Sequence, residues 1–255
     1  MPELLAGKTS LILGVANKWS LAYAIAKAFR REGAKLLLTY QGERQKETVT
    51  ELGSELGAAA IFECDVTRDE DLAKLAETVR QHGVLDTLVH SIAFANREDL
   101  TRPFVETSRA GYLLAQDVSA YSLVSAARTV SPLMTKGGSV ITLSYLGATR
   151  VLPNYNVMGV AKAALEACVR YLSSDLGPSN IRVNAISAGA VKTASSRAVA
   201  GLSKMLESMP ARAPLRRNCT PEEVADAAVF LASDLGRGVT GNVLFVDAGY
   251  QVMGF

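Results

Sequence analysis

The residues best equipped for chemistry are a tyrosine and a lysine on one predicted helix. Tyr155 and Lys162 are seven positions apart. That is two helical turns, so a helix places them on one face with Met158 between them. A phenol ordinarily titrates near ~10 and an ammonium near ~10.4. Side by side, the cation stabilises phenolate and lowers the tyrosine pKa. The ammonium can also bond ribose hydroxyls. The phenol can donate to a carbonyl oxygen that gains negative charge during hydride transfer. Tyr145, at the end of the preceding apolar run, can point into the same cleft. Taken alone, the pair also fits a partly buried tyrosine and a snorkelling lysine, a common arrangement.

A second chemical signal lies near the start of the chain. Gly14-Val15-Ala16-Asn17-Lys18-Trp19-Ser20-Leu21-Ala22 follows a first apolar run. A pyrophosphate would meet a helix N-terminus here, where free N–H groups and the helix dipole favour an anion. The usual G-x-G-x-x-G is absent, and by the glycine rule alone an ordinary strand-helix turn fits as well. Ser20 and Ala22 are small enough for close approach. At the end of the second apolar run, where an acid often holds an adenine ribose, the chain has Gln41. A neutral amide bonds hydroxyls but offers a 2′-phosphate no charge, so NADH is expected over NADPH, with Arg44 nearby as a complication. Gln41 also reads as an exposed loop residue.

Short apolar runs alternate with longer amphipathic ones to position these groups. Strands are expected over 10–14, 35–40, 59–63, 87–91, 139–144, 182–187 and 242–246. Helices are expected over 21–32, 43–56, 69–82, 108–130, 156–176 and 222–233. Thr220-Pro221 fits an N-cap and first helical position, and Asn154 fits the N-cap of the helix that carries Lys162. This rhythm predicts βαβ units with right-handed crossovers. The expected fold is a single α/β, Rossmann-type, doubly wound domain over 1–255. It has a parallel sheet of about seven strands and helices on both faces. Ligands then bind at the carboxyl ends of the strands.

Composition narrows the chemistry. The chain has 255 residues, 27 Lys plus Arg, 25 Asp plus Glu, 2 His and 3 Cys, with a net charge of +2. So near-neutral a balance argues against a nucleic-acid partner. Cys64, Cys168 and Cys219 are odd in number and form no C-x-x-C pair, which argues against disulfides and thiolate metal sites. Two histidines leave little for a metal, so none is expected. No signal peptide or membrane span is evident, and a cytoplasmic protein is expected.

Several local motifs then occur in order. They are Gly14 with Ser20-Leu21-Ala22, Cys64-Asp65-Val66, His90 to Ala95, Tyr145, Tyr155-Asn156-Val157-Met158, Lys162-Ala163-Ala164, Arg182 to Gly189, Ala213 to Arg217 and Val246 to Tyr250. Across nearly its whole length the chain closely resembles the short-chain dehydrogenase/reductase superfamily. Within it, the chain resembles the bacterial type II enoyl-acyl-carrier-protein reductases. Most of the superfamily uses Tyr-x3-Lys with a serine about thirteen residues earlier. Here the usual tyrosine position holds Met158 and the serine position holds Tyr145. The tyrosine has moved one turn back to give Tyr-x6-Lys, which resembles the enoyl reductases. In an enoyl thioester the hydride lands two carbons from the carbon that bears the oxygen, and a displaced phenol fits that longer reach.

The resemblance implies roles. Tyr155 would hold the thioester carbonyl, Lys162 the nicotinamide ribose, and Tyr145 would gate or orient substrate. Gly14, Ser20 and Leu21 would line the pyrophosphate turn, and Gln41 would face the adenosine ribose. Asp65 and Val66 would meet the adenine, and Ile92 the cofactor's ribose side. Val191, Lys192, Thr193, Ala194 and Ser195 would close over the nicotinamide end. Ala95, Met158, Val199 and Leu202 would touch substrate. Where the family commonly has proline this chain has Ala190, which frees a backbone φ and restores an N–H. The family also implies a homotetramer.

A lid is expected at about 190–220. Lys192, Arg197, Lys204, Arg212, Arg216 and Arg217 face a single acid there, Glu207, a local net of +5. Such a field can steer an acidic partner, and acyl carrier protein is acidic. A solvated basic face fits equally. Val199, Leu202 and Met205 recur at three-residue steps and suit either an acyl-chain lip or the packing of a short helix. Two rival functions remain: a ketone/alcohol dehydrogenase, and a nucleotide-sensing protein without turnover.

Overall fold

The computed structural model describes residues 3–191 and 206–254, and the backbone alone of 202–205. Seven strands form one parallel sheet: β1 (Thr9–Leu13), β2 (Lys35–Tyr40), β3 (Ala60–Glu63), β4 (Thr87–His90), β5 (Gly138–Tyr145), β6 (Ile181–Ala188) and β7 (Val243–Val246). Their order is β3-β2-β1-β4-β5-β6-β7. The order reverses between β1 and β4, where the loops leaving the two strands diverge and open a crevice.

The helices are α1 (Leu21–Arg31), α2 (Glu43–Glu55), α3 (Asp69–Gln81), α4 (Arg97–Thr101), α5 (Arg109–Gln116), α6 (Ser122–Val130), α7 (Asn156–Leu176), α8 (Leu202–Arg212) and α9 (Pro221–Ala232). Side chains alternate across the sheet, as a period of two requires. Ile12, Val89, Ile141 and Ile186 face α1 and α9. Leu11, Leu13, Leu88, Val140 and Val183 face α3, α6 and α7. Both faces are therefore covered, which is why the strands read as continuous apolar runs. The Thr220 hydroxyl and Glu223 form a reciprocal cap at the start of α9.

The structure departs from the sequence reading in three places. The expected helix over 108–130 is α5 and α6 joined by a π turn, Asp117–Tyr121. Two serines explain the break. Ser119 exchanges hydrogen bonds with the backbone of Phe94, accepting at 2.9 Å and donating at 3.0 Å. Ser122 donates to the Val118 carbonyl at 2.6 Å. The Ser119 bonds tie the turn to the loop after β4. The one-turn helix α4 is too short to show a period. Tyr155, not Asn154, stands at the N-cap of α7, and no side chain caps it.

Candidate active site

The crevice at the strand reversal fits a dinucleotide. Gly14 has φ +93°, a left-handed conformation, and a Cβ there would strike the Ser91 carbonyl and lie 3.3 Å from Ile92 Cγ1. The backbone after β1 thus runs hard against the loop after β4, bringing Gly14 and Ile92 together. Ser20 caps α1, its hydroxyl accepting from the Tyr23 N–H at 3.2 Å. Leu21 is the first residue of that helix. The first turn of α1 holds no acid, so the positive end of its dipole stays available to a phosphate.

At the far side of the crevice Gln41 meets Asp65. The Gln41 amide donates to the Asp65 carboxylate at 3.0 Å. Thr67 donates to the same carboxylate from its N–H at 3.0 Å and its hydroxyl at 2.7 Å. Burial works to raise the Asp65 pKa, but these three bonds outweigh it and leave the carboxyl below its usual range. Val66, beside it, is buried in the core.

Tyr155 and Lys162 sit at the carboxyl end of β5. The Tyr155 ring stands edge-on to Tyr145, with centroids 5.2 Å apart and planes at 69°. Its other flank lies against Gly147, in the turn Leu146–Ala148 that follows β5. The backbone on either side of Tyr155 is left-handed, with φ +61° at Asn154 and +30° at Asn156. Asparagine is among the few residues that tolerate this. The Asn156 amide also donates to the Arg102 carbonyl at 2.6 Å, which ties the start of α7 to the end of α4.

One expectation is corrected here. Lys162 does not lower the Tyr155 pKa. Its ammonium donates to the Leu143 carbonyl of β5 at 2.7 Å. Burial, with Tyr145 and Glu166 adding to it, holds the Tyr155 phenol well above its ordinary value. Burial also pushes the Tyr145 phenol up to about 12 and the Lys162 ammonium down to about 8. Desolvation dominates both groups, and the lysine is turned onto the strand. Tyr155 is therefore a neutral hydrogen-bond donor at physiological pH.

The comparisons with known proteins decide the family. The family described as "Enoyl-(Acyl carrier protein) reductase" matches residues 14–251. The NADH-dependent enoyl-[acyl-carrier-protein] reductase FabI of Bacillus cereus is 52% identical over 99% of this chain and 100% of its own. The Bacillus subtilis FabI is 47% identical over 97% of each chain. The chain belongs to the enoyl-acyl-carrier-protein reductase family. A crystal structure of the B. cereus reductase with NADP+ and indole naphthyridinone superposes with a TM-score of 0.98 over 99% of this chain and 100% of that one. An Anaplasma phagocytophilum reductase in complex with NAD gives 0.96 at 45% identity, over 100% of this chain and 98% of that one.

The remaining expected site residues of this reductase fall into two groups. Ala95, Tyr155 and Met158 share a small cluster with Leu100, Val157 and Ala161, in which Met158 is buried. Val191 is buried, and its neighbour Ala190 packs with Met209. Lys192, Thr193, Ala194, Ser195 and Val199 lie outside the described residues, as do the side chains of Leu202 and Met205. A hollow beside Tyr145 is lined by Leu146, Leu152, Met209 and Tyr250, with Gly189 and Asp247 beneath.

Sequence reasoning assigned no role to Gly147, Ser144, Glu166 or His90. Glu166 had a legible signal, since it stands four residues after Lys162 on the same helical face. His90 is wholly buried, its ring nitrogens 3.0 Å from the Thr142 hydroxyl and 2.8 Å from the Ser122 hydroxyl. Ser122 already donates to Val118, so it accepts from His90 Nε2–H, and the Thr142 hydroxyl lies within reach of both His90 Nδ1 and the His90 carbonyl, the latter at 3.2 Å. Burial lowers the histidine's pKa to about 3 and so keeps it neutral.

Proposed function

We propose that the chain reduces the trans-2 double bond of enoyl thioesters carried on acyl carrier protein, with NADH as reductant, in fatty acid elongation. The carrying observation is the pair of phenols at the end of β5, with Met158 buried where the wider superfamily keeps its tyrosine. Bound in the crevice, the reduced dinucleotide would supply a hydride to the substrate β-carbon, and the resulting enolate would take up a proton at its α-carbon to complete the reduction. Tyr155 donates a hydrogen bond to the thioester oxygen, which becomes more basic as the enolate forms. Its high pKa keeps that proton on the phenol throughout. Tyr145 fixes the Tyr155 ring and closes one side of the substrate path. Lys162 holds the ribose and adds a positive charge near the developing oxyanion.

Gly14, Ser20 and Leu21 take the pyrophosphate, Gln41 the adenosine ribose, Asp65 and Val66 the adenine, and Ile92 the ribose side. The Asp65 carboxylate bonded to Gln41 sets a negative charge near the ribose, which supports NADH over NADPH. Residues 190–220 form the substrate lid, with Val191 through Ser195 over the nicotinamide and Ala95, Met158, Val199 and Leu202 toward the acyl chain. The excess of lid cations suits the acidic carrier protein, although Arg217 already pairs with Glu223 at 2.5 Å. The chain is proposed to be a homotetramer, supported by the exposed apolar side chains Phe104, Val105, Tyr112, Leu113 and Tyr121. It is proposed to be cytoplasmic, supported by three unpaired cysteines. No helix among the described residues is long and apolar enough to cross a membrane.

The test is a thioester panel followed by nicotinamide absorbance. Crotonyl thioester should be reduced with NADH and acetoacetyl thioester should not. A reversed preference supports the ketone-reductase rival, and cofactor binding without turnover supports the sensor.

A further inference from the structure

The reaction as described leaves one buried carboxylate unused. Glu166 is 8% exposed and Lys162 6% exposed. Glu166 lies one turn after Lys162 on α7, on the face that begins at Tyr155. The two charges do not meet. Lys162 donates to the Leu143 carbonyl at 2.7 Å, and Glu166 accepts from the Ser144 hydroxyl at 2.5 Å. Leu143 and Ser144 are consecutive in β5, so two adjacent strand residues hold two adjacent turns of the helix. The short O–H···O contact holds the carboxylate against the strand.

The surroundings leave Glu166 as the anion facing Lys162 among the described residues. His90 approaches from β4, and its complete burial keeps it neutral. Tyr155 and Tyr145 face the cleft from α7 and β5, and burial keeps both phenols protonated. A buried ammonium with no counter-charge releases its proton. Burial already brings Lys162 down to about 8, and Glu166 is the group that opposes this.

We propose that Glu166, fixed on β5 by Ser144, is a positioning residue whose charge keeps the buried Lys162 ammonium protonated and able to hold the nicotinamide ribose. This rests on the proposed role of Lys162 in binding NADH. It gives the second strand residue of the clamp a purpose. Ser144 stops the carboxylate from swinging to solvent, where its field on Lys162 would be screened.

The test is NADH affinity, read by fluorescence titration from about pH 6 to 10, a window that spans the Lys162 transition. Wild-type affinity should fall as Lys162 loses its proton. Glu166→Gln keeps the shape and removes the charge. It should move the midpoint to lower pH by roughly 1 to 2 units, the order expected for losing a unit charge one helical turn away. Glu166→Asp keeps the charge and should hold the midpoint nearer the wild-type value. Ser144→Ala should shift it in the same direction as the Gln variant, by less. An unmoved midpoint in Glu166→Gln, with affinity reduced equally at every pH, would mean a structural role only and overturn the proposal. Should that variant not fold, an unmoved midpoint in Ser144→Ala overturns it instead. Wild-type protein that binds NADH but leaves crotonyl thioester intact refutes the enoyl-reductase reading and leaves this test standing.

Discussion

Adding one methyl group at Gly147 should disable the reductase without disturbing its cofactor. The Gly147 backbone lies in a region open to any residue, so the effect of Gly147→Ala is purely steric. The new Cβ would lie 2.6 Å from Tyr155 Cε1 and closer still to Cδ1, whereas ordinary contact begins at 3.4 Å. The ring must therefore retreat by about 1 Å, a displacement that can cost on the order of 10²-fold in rate when it misaligns a reacting group. Tyr145 blocks one flank of the ring, and the fixed turns at Asn154 and Asn156 limit backbone relief. Overpacking of this kind costs roughly 1–3 kcal/mol of stability, or about 2–12 °C in a domain of this size. The assay is steady-state reduction of crotonyl thioester beside NADH titration and thermal melting. NADH affinity should stay near wild type, because Gly14, Ser20 and Gln41 lie away from the change. A kcat within about threefold of wild type, under ~0.7 kcal/mol of barrier, would refute the reasoning.

Three further outcomes follow from the same geometry. Tyr155→Phe removes one hydrogen-bond donor and leaves the ring packing intact, so kcat should fall by about 10²–10³ with KM little changed; kinetics at saturating NADH check it. Gly14→Ala meets both a left-handed φ and the Ser91 carbonyl, and should abolish NADH binding by calorimetry while destabilising the fold by roughly 1–3 kcal/mol. His90 has a folded pKa lowered to about 3 from 6.5, so the unfolded chain binds more protons between those values. Stability should therefore fall as pH drops from 6.5 toward 3, by at most about 5 kcal/mol from this group. Denaturant melts of wild type and His90→Gln across that range should diverge at high pH and converge in acid.

The sheet was legible because each strand is buried on both faces. Runs such as those of β1 and β2 cannot be mistaken when helices cover both sides, and the cap at Thr220 marked where α9 begins. The break at Asp117–Tyr121 was hidden because a π turn preserves helical composition. Its cause is a pair of serines bonded to Phe94 and His90, some 25 and 32 residues away. Gly147 and Ser144 were illegible for the same reason: their importance lies in what stands beside them in space. Tyr155 and Lys162 were found by spacing, but spacing could not say which way the ammonium turns.

That last ambiguity decides the chemistry. An ammonium turned toward Tyr155 would favour phenolate, a base. Turned onto the Leu143 carbonyl, it leaves a desolvated phenol that holds its proton. A ketone reductase must deliver a proton to the oxygen beside the carbon that takes the hydride, so a tyrosine of lowered pKa serves it. Reduction of an enoyl thioester ends with the new proton on carbon, and the oxygen needs only to be held while charge resides on it. A phenol that donates a hydrogen bond and keeps its proton is the right group for that task. The geometry therefore predicts that the rate is insensitive to tyrosine ionisation. The pH profile of kcat should show no limb assignable to Tyr155 below about pH 10, the ordinary phenol value. A limb near neutrality that vanishes in Tyr155→Phe would show instead that the phenol gives up its proton in the reaction.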